Sequence, residues 1–437
     1  MGDEEFFEAC DRYGIMVWED FWLANPWDGP DPQDETMFMN NARDVIQRLR
    51  RHPSIALYCG RNEGYPPASL DKSLRRAVAE LHSQLGYIGS SADGGVSGRG
   101  PYGLWTSARY FSHLSGKLHS EEGISCIPNY ESLKRMLAPE GLWPMGDAWG
   151  QHDFPRGRGH NFAQMVERHF GPATSARQFT EWAQWVNYDG HRAMFESRLQ
   201  DRMGVLIWMS HPCWPALTWG TYDYYWEPTA AYFGIRKALE PIHIQYNPAQ
   251  RTVEVANISV DKPGDMKATA QVLSMWGNVI SEHTADVAVD RDETVSPMRI
   301  EVPDSAVYFI KLKLEKGGRL VSENFYVEGR DTDNLQALHA LPTARIHTES
   351  HFAPLSDNEW KGQVTVANEG DVPALLIRLC LKGEDGQQIL PVIYSDNYFS
   401  LMPGESRTVD ISYDKADARG CRPVVSATPL NLHTETP

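Results

Sequence analysis

The sequence predicts an α/β fold in which a parallel α/β unit is followed by two antiparallel β-sandwich domains. Up to about Pro241, strand-like and helix-like segments alternate, with loops at the strand ends; this pattern is typical of a parallel sheet. After Pro241, short runs of alternating polarity are separated by turn residues, which is typical of sandwiches. A second block of such runs begins near Leu341. The predicted domains are therefore 1–241, 242–330 and 331–437.

Each element of the α/β part follows from local spacing. Apolar residues at helical spacing predict a first helix over 3–13, which Gly14 ends. Residues 15–18 predict a buried strand that leads into Glu19 and Asp20. The remaining predictions are, in order, a helix near 36–51, a strand that leads to Glu63, a helix near 69–85, a short strand over 87–90, a strand that carries Glu121, helices near 129–137, 161–169 and 175–202, and a strand over 204–210.

Two of these strands end in acidic side chains followed by a glycine. Glu63 lies in the segment Ile55–Gly64, and Glu121 lies in the segment Ser120-Glu121-Glu122-Gly123. Catalytic groups of barrel enzymes come from the carboxyl ends of strands, and two carboxylates are the minimal apparatus for cleaving a glycosidic bond. Strict strand alternation is expected to keep His119 and Glu121 on one face and Glu122 on the other.

Composition narrows the functional classes. The chain has 437 residues, of which 41% are hydrophobic, and a formal net charge of −17. Such a surface repels nucleic acid and anionic membranes, and the longest apolar stretches are too short to span a bilayer. The six cysteines contain no CxxC pair, so a zinc site or a dense disulfide framework is not expected. We expect no metal and no cofactor, and a soluble protein whose location, periplasmic and secreted included, stays open.

Several segments resemble glycoside hydrolase family 2. The first set comprises Tyr13–Phe21, His52–Ile55, Gly60–Glu63 and Ser120–Gly123. A second set resembles the exo-β-D-glucosaminidase and β-mannosidase branch of that family: Glu131–Leu137, Leu142–Pro144, Ala193–Glu196, Tyr222–Tyr225 and Tyr232–Tyr246. Asp396–Phe399 with Pro403–Glu405 resembles the final sandwich domain of the same branch.

The resemblance implies a (β/α)8 TIM barrel and a catalytic pair. Glu63, which follows Asn62, takes the position of the acid/base, and Glu121 takes that of the nucleophile. The implied function is a retaining exo-β-glycosidase that removes terminal β-linked sugars from oligo- or polysaccharides by double displacement. β-Glucosaminidase and β-mannosidase are the favoured types, and β-galactosidase stays open.

Further side chains are candidates for binding the carbohydrate substrate. Asn62 is expected to bind the sugar 2-substituent, and Trp208 to floor the −1 subsite. The other candidates are Asp20 for a sugar hydroxyl, Trp149 for the cleft wall, and Tyr102 with Trp105 for the aglycone side. For Asp20 a salt bridge, and for the aromatic residues a role in the core or on the surface, are the alternatives, because aromatic side chains dominate burial in any protein.

The resemblance also implies that the chain opens at the helix before the third barrel strand. The barrel is then expected to lack its first strands, and a missing N-terminal segment or a second chain would complete it. Open strand edges are a liability in a sheet. The alternative hypothesis is a truncated, catalytically inactive carbohydrate-binding fragment.

Overall fold

The computed structural model describes residues 2–113, 115–154, 158–201 and 203–431. They divide into two compact units. Unit 1 is drawn from Met1–Pro101, Ser115–Glu122 and Met203–Ile207, and unit 2 from Tyr102–Leu114, Gly123–Arg202 and Trp208–Pro437.

Unit 1 is built from alternating helices and parallel strands, as predicted. Its elements are α1 (Glu4–Tyr13), β1 (Val17–Asp20), α2 (Glu35–Leu49), β2 (Ile55–Cys59), α3 (Ala68–Leu81), β3 (Gly86–Ile88), β4 (His119–Glu122) and β5 (Val205–Ile207). The first three strands form a parallel sheet in the order β1-β2-β3. β4 pairs in parallel with β5, and a single parallel bridge joins Val96 to Leu118. The pairing thus follows chain order.

The core of unit 1 lies where the apolar faces of the helices meet the sheet. In α2, Ala42, Ile46 and Leu49 recur at helical spacing and are fully buried. On the sheet, Phe21 stacks on Tyr58 with ring centroids 5.9 Å apart. The apolar residues found at helical spacing in the sequence therefore form the packed face of α2.

The start of β1 differs from the prediction of a buried strand over 15–18. Ile15 and Met16 are 55% and 81% exposed, and the strand begins only at Val17. The reason is the end of α1. Gly14 adopts a left-handed conformation with φ +70°, and the amide of Ile15 donates to the carbonyl of Cys10 at 2.9 Å. The prediction is wrong for these two residues because they terminate the helix.

Unit 2 opens with helices. They are α4 (Ser107–Ser112), α5 (Tyr130–Met136), α6 (Asp147–Gln151), α7 (Arg158–Phe170), α8 (Ala176–Asp201) and α9 (Ala230–Ala238). α8 packs along α9, where a Cβ on Gly234 would lie 2.3 Å from the carbonyl oxygen of Tyr188. This glycine therefore permits the close approach of the two helices. α4, α6 and α9 were not predicted as helices. For α9 the reason is that residues 232–246 were interpreted only as a motif.

The first block of antiparallel strands forms two packed sheets. Its strands are β6 (Ile242–Asn247), β7 (Thr252–Asn257), β8 (Met266–Ser274), β9 (Val279–Val287), β10 (Glu293–Arg299), β11 (Tyr308–Lys316) and β12 (Arg319–Glu328). The sheet orders are β10-β7-β6 and β12-β11-β8-β9. Ile244 and Val255 of one sheet share a buried cluster with Val272 and Ile310 of the other. The block is a sandwich, as predicted.

The second block repeats this architecture. Its strands are β13 (Ile346–Pro354), β14 (Glu359–Asn368), β15 (Ala374–Gly383), β16 (Val392–Tyr394), β17 (Phe399–Leu401), β18 (Ser406–Asp414) and β19 (Pro423–Thr428). The sheet orders are β13-β14-β18-β16 and β17-β15-β19. Val364 and Val366 of β14 are fully buried while Gln363 is exposed, so the alternation seen in the sequence is confirmed.

Two expectations from composition concern the whole chain. In the described residues the six cysteines are free thiols, and Cys10, Cys59, Cys126 and Cys380 are buried. In the same residues no helix is both long and apolar enough to cross a bilayer.

A carboxyl group buried at the end of β12 is expected to make stability depend on pH. Burial, assisted by the Asp189 carboxylate and opposed by the Arg192 guanidinium, raises the pKa of Glu328 to about 8. In the unfolded chain the same group ionises near pH 4.5. Between these values the unfolded state binds fewer protons, so stability falls as pH rises. We expect Glu328→Gln to remove this loss, so that the variant melts several degrees above the parent at pH 8.5.

Thermal melts between pH 4.5 and pH 8.5 test this expectation. At pH 4.5 the parent and the Glu328→Gln variant should melt at similar temperatures, and their curves should separate as pH rises. Glu349→Gln, whose side chain is 80% exposed, serves as the control and should follow the parent. Parallel profiles of the parent and Glu328→Gln would contradict the assignment.

Candidate active site

The turn after β2 positions Asn62 and Glu63. The amide of Gly60 donates to the carbonyl of Ile88 at 2.8 Å, and a Cβ at Gly60 would lie 2.3 Å from the Tyr87 hydroxyl. A side chain at position 60 would clash with Tyr87. Glycine there lets the chain stay paired with β3 before it turns. Arg61 is 3% exposed, and its Nε donates to the carbonyl of Ala24 at 2.8 Å. The turn is thereby tied to the loop that follows β1.

Glu63 is held in an unusual backbone conformation. Its φ is +48°, in the left-handed region that a residue with a Cβ enters only at a cost. Its amide donates to Ser91 Oγ at 2.9 Å, and its carbonyl accepts from Arg99 Nη2 at 2.6 Å. Asn25 Nδ2 lies 3.4 Å from its Oε2, and the residue is 6% exposed. These hydrogen bonds offset the cost of the left-handed backbone, and they fix the position from which the Glu63 side chain extends.

β4 presents two adjacent carboxylates in different surroundings. Glu122 is fully buried, and its Oε2 lies 3.2 Å from Nδ1 of the buried His119. Glu121 is half-buried. The register of β4 on β5 pairs His119 with Val205 but Glu122 with Ile207, so one strand carries an extra residue. The predicted strict alternation is wrong here, because this irregularity brings His119 and Glu122 together.

Ser91 connects the two acidic strand ends. Its Oγ donates to Asn62 Oδ1 at 2.9 Å while accepting from the Glu63 amide, and its carbonyl accepts from Ser120 Oγ. The loop that follows makes a second link. Arg99 binds the carbonyl of Glu63, and the amide of the next residue, Gly100, donates to the carbonyl of Glu121 at 3.1 Å. Within unit 1 the structure therefore brings Asn62, Glu63 and Glu121 into one hydrogen-bonded frame.

The glycine-rich loop is part of this frame. A Cβ on Gly98 would lie 2.2 Å from the carbonyl oxygen of Ser91 and 2.6 Å from Ser120 Oγ. The amide of Ser97 donates to the carbonyl of Leu118 at 2.9 Å, beside the Val96–Leu118 bridge. Because Gly98 has no side chain, the backbone of this loop can lie close to β4.

Asp20 lies at the carboxyl end of β1, paired in register with Cys59 at the end of β2. Its Oδ1 accepts from Trp18 Nε1 at 2.7 Å, and the residue is exposed. The packed strand ends raise the pKa of Asp20 by desolvation, and the Trp18 hydrogen bond opposes this. Asp20 therefore lies at the same sheet edge as the turn that carries Glu63.

Trp149 lies in the core of unit 2, contrary to the prediction. The sequence interpretation placed it on a cleft wall, but it is fully buried in unit 2, and its Nε1 donates to the carbonyl of Leu142 at 3.0 Å. Trp143, Phe154 and Phe179 surround its ring, with centroids 5.7–6.4 Å away. No ring face is left to stack on a sugar, so Trp149 is a core residue.

The other predicted aromatic residues also belong to unit 2. Tyr102 is 9% exposed and meets the edge of Trp219 at 6.4 Å. Trp105 is half-buried, with the Arg109 guanidinium 4.4 Å above its ring. Trp208 is 40% exposed. A Cβ on Gly123 would lie 2.2 Å from the carbonyl oxygen of Trp208, which gives the glycine of the Ser-Glu-x-Gly segment a steric reason.

Sequence reasoning missed several residues of the frame. Ser91, Arg99 and Asn25 contact Glu63 but carry no motif of their own. Trp27 is 63% exposed and lies 6.0 Å from the Arg99 guanidinium, and Tyr65 is 54% exposed. One sequence feature could have pointed to these contacts. The loop over 25–35 follows β1, just as the turn that carries Glu63 follows β2. In the described residues no cluster of His, Cys, Asp and Glu could hold a metal ion.

The chain is similar to proteins that are named as glycosidases. The profile of the exo-β-D-glucosaminidase immunoglobulin-fold domain matches residues 324–432. A mannosylglycoprotein endo-β-mannosidase from Lilium longiflorum is 26% identical over 99% of this chain, and an exo-β-D-glucosaminidase from Streptomyces avermitilis is 25% identical over 99%. The chain is similar to exo-β-D-glucosaminidases and β-mannosidases. The resemblance predicted from the motifs is confirmed.

Solved structures share the fold of this chain. The exo-chitosanase of Amycolatopsis orientalis superposes with a TM-score of 0.91 at 23% identity, over 99% of this chain and 58% of that one. The β-D-mannosidase of Dictyoglomus thermophilum superposes with a TM-score of 0.80 at 21% identity, over 99% of this chain and 55% of that one. The chain likewise spans 58% of the Lilium protein and 55% of the Streptomyces protein.

Removing the hydroxyl that joins the acidic strand ends should destabilise unit 1. Ser91→Ala leaves the amide of Glu63 and Oδ1 of Asn62 without this partner in a buried setting, which costs about 1–3 kcal/mol of unfolding free energy. Urea denaturation measures the change. Ser73→Ala is the matched control, because the Ser73 hydroxyl donates only to the carbonyl of Ser69 in its own helix, at 2.8 Å. Equal losses for the two variants would contradict the connecting role of Ser91.

Proposed function

We propose that the chain carries the catalytic carboxylates of a retaining β-glycosidase, with Glu121 as nucleophile and Glu63 as acid/base. The observation that carries the proposal is the shared frame, in which Ser91 and the Arg99–Gly100 dipeptide bind the backbone on both sides. The choice of Glu121 over Glu122 is supported by burial, since Glu122 contacts His119 and is closed off. A retaining mechanism requires two such carboxyls about 5–5.5 Å apart.

The proposed reaction has two steps. In the first, a carboxylate oxygen of Glu121 attacks the anomeric carbon while the glycosidic C–O bond breaks, and the Glu63 proton passes to the leaving oxygen. The product is a glycosyl ester on Glu121. In the second, water attacks the same carbon, Glu63 takes its proton, and the ester bond breaks. Two inversions release the sugar with its original anomeric configuration.

The substrate we propose is a terminal β-linked glucosamine or mannose residue of an oligo- or polysaccharide. The relatives are named for glucosaminidase and mannosidase activities. Asn62 is proposed to bind the sugar 2-substituent. Asp20, exposed at the neighbouring strand end, is proposed to meet a 2-ammonium group if the sugar is glucosamine. Glu122 is not proposed for this contact, because it is fully buried and contacts His119.

We further propose that 1–241 forms part of a (β/α)8 barrel, followed by sandwiches over 242–330 and 331–437. Parallel pairing in chain order supports the barrel: β1-β2-β3, then the Val96–Leu118 bridge, then β4-β5. β1 is an edge strand, and Ile15 and Met16 beside it are exposed. An adjoining segment or a second chain is proposed to cover this edge and complete the barrel.

A panel of 4-nitrophenyl β-glycosides tests the proposed function. Glucosaminide, mannoside, galactoside and glucuronide are assayed with this chain and with a form extended at its N-terminus. Turnover of the glucosaminide or the mannoside, with the β-anomer as the first product seen by NMR, is the expected result. Turnover by the extended form alone would show that the edge beside β1 must be covered.

The second candidate is a catalytically inactive carbohydrate-binding fragment. The exposed edge beside β1 is the observation that favours it, because a barrel open at this point lacks part of its substrate wall. A folded extended form that hydrolyses none of the four glycosides would decide for this candidate. A periplasmic or secreted location, where polymeric glycans are met, belongs to the leading proposal.

A further inference from the structure

The second sandwich contains a groove that lies outside the proposed catalytic frame. We define the distal groove by its lining residues: Ser350, His351, Phe352, Asp357, Asn358, Trp360, Glu384, Tyr413–Ala416, Ala418 and Gly420–Pro423. Its volume is about 930 Å³, at the upper end of the range of about 300–1,000 Å³ for ligand sites. The groove is thus large enough to hold a ligand.

Three aromatic side chains of the lining, which we call the floor, lie on the same face of three adjacent strands. The register pairs Trp360 of β14 with Tyr413 of β18, and Phe352 of β13 with Gly362 of β14. A Cβ on Gly362 would lie 2.2 Å from Cδ1 of Phe352. The missing side chain therefore lets the Phe352 ring lie against the strand. The rings of Phe352 and Tyr413 meet at 69° with centroids 6.0 Å apart.

This floor continues the inner face of the sandwich. Val364 lies on the same face of β14 as Trp360, and Ile411 on the same face of β18 as Tyr413; both are fully buried. Past these residues the same face lines the groove, where Trp360 and Phe352 are half-buried and Tyr413 is still buried, at 5% exposure. Aromatic rings with a polar end suit a surface that is apolar on one side and wet on the other.

The rim supplies hydrogen-bonding groups. Asp357, Asn358 and Asp414 are exposed where β13 turns into β14 and where β18 ends. Glu384 adds a third carboxylate, and Lys415 and Arg422 are the cations of the lining. Carboxylates and an amide accept and donate to hydroxyl groups, and the small acidic excess suits a neutral or ammonium-bearing ligand. Polyanions are disfavoured by the net charge of −17.

We propose that the distal groove binds an oligosaccharide chain of β-linked pyranose units. Flat aromatic side chains cover the apolar faces of such rings, and the polar rim binds their hydroxyl or amino groups. The ligand class is that of the proposed substrate, but the groove binds without cleaving. The inference therefore deepens the proposed function, and it also holds for a chain without hydrolytic activity.

Affinity electrophoresis of the full chain in gels containing chitosan or β-mannan tests the proposal. The Glu121→Gln variant is used as parent so that the polysaccharide is not degraded. Retardation by at least one of the two polysaccharides is expected, and Trp360→Ala should weaken it about tenfold, as truncation of a central aromatic contact does. Trp276→Ala is the control, because Trp276 is 46% exposed but lies on the turn between β8 and β9 of the first sandwich.

Different results would contradict the proposed catalytic function and the proposed distal groove. Aryl glycosides report only the catalytic frame, so Trp360→Ala in the wild-type background should leave their hydrolysis unchanged. Absence of aryl glycoside hydrolysis with Trp360-dependent retardation would overturn the proposed function and support the groove. Equal retardation of Trp360→Ala and Trp276→Ala, or no retardation of the folded Glu121→Gln chain by either polysaccharide, would overturn the groove.

Discussion

Replacement of Glu121 by Gln is expected to lower kcat by about four orders of magnitude or more, the scale on which loss of a nucleophile acts. The amide keeps the size of the side chain but cannot form the glycosyl ester, so both steps of the proposed reaction stop. Hydrolysis of the preferred 4-nitrophenyl glycoside, in whichever form of the chain is active, measures the loss. Circular dichroism and the melting temperature should match those of the parent.

The neighbouring carboxylate provides the discriminating control. Glu122→Gln disturbs the contact with His119 and is expected to lower stability, yet it leaves the carboxylate of Glu121 in place. A 2-deoxy-2-fluoro glycoside, which forms a slowly hydrolysed ester, should therefore label the Glu122→Gln variant at Glu121 and leave Glu121→Gln unlabelled. Mass mapping that found the label on Glu122 of the parent would reverse the assignment.

The difference between these two residues shows what the sequence could and could not predict. Its alternation rule assumes an uninterrupted ladder, and on that basis Glu121 was expected to share a face with His119. The extra residue in the β4–β5 register overturns this, because a bulge shifts every side chain that follows. Such an irregularity depends on the partner strand, which local spacing does not report.

The elements themselves were predictable where burial imposes a period. A helix was expected over 36–51, and α2 spans Glu35–Leu49, because Ala42, Ile46 and Leu49 keep one face of it against the core. Trp149 fails for the complementary reason: composition shows that aromatic residues are frequent but not whether a ring is enclosed. Ser91 is invisible to sequence alone, since its role arises from three hydrogen bonds to residues distant in the chain.

Replacement of Glu63 by Gln is expected to have an effect that depends on the leaving group. General acid catalysis contributes about 10²–10⁴-fold, and it matters most when the leaving oxygen is basic. With 2,4-dinitrophenyl glycosides, whose leaving group departs without a proton, the first step should stay fast and the glycosyl ester on Glu121 should accumulate. With methyl or saccharide leaving groups the rate should fall by the full factor. Initial rates against leaving-group pKa provide the measurement.

The same variant separates catalysis from positioning. The left-handed backbone at residue 63 is held by the Ser91 hydroxyl and the Arg99 guanidinium, and neither contact involves the Glu63 side chain. Glu63→Gln therefore leaves that frame intact. Azide, which needs no general base, should restore turnover of the accumulated ester and yield a β-glycosyl azide. A structural role for Glu63 predicts instead an equal loss for all leaving groups and no rescue, because a displaced frame would impair attack by Glu121 itself.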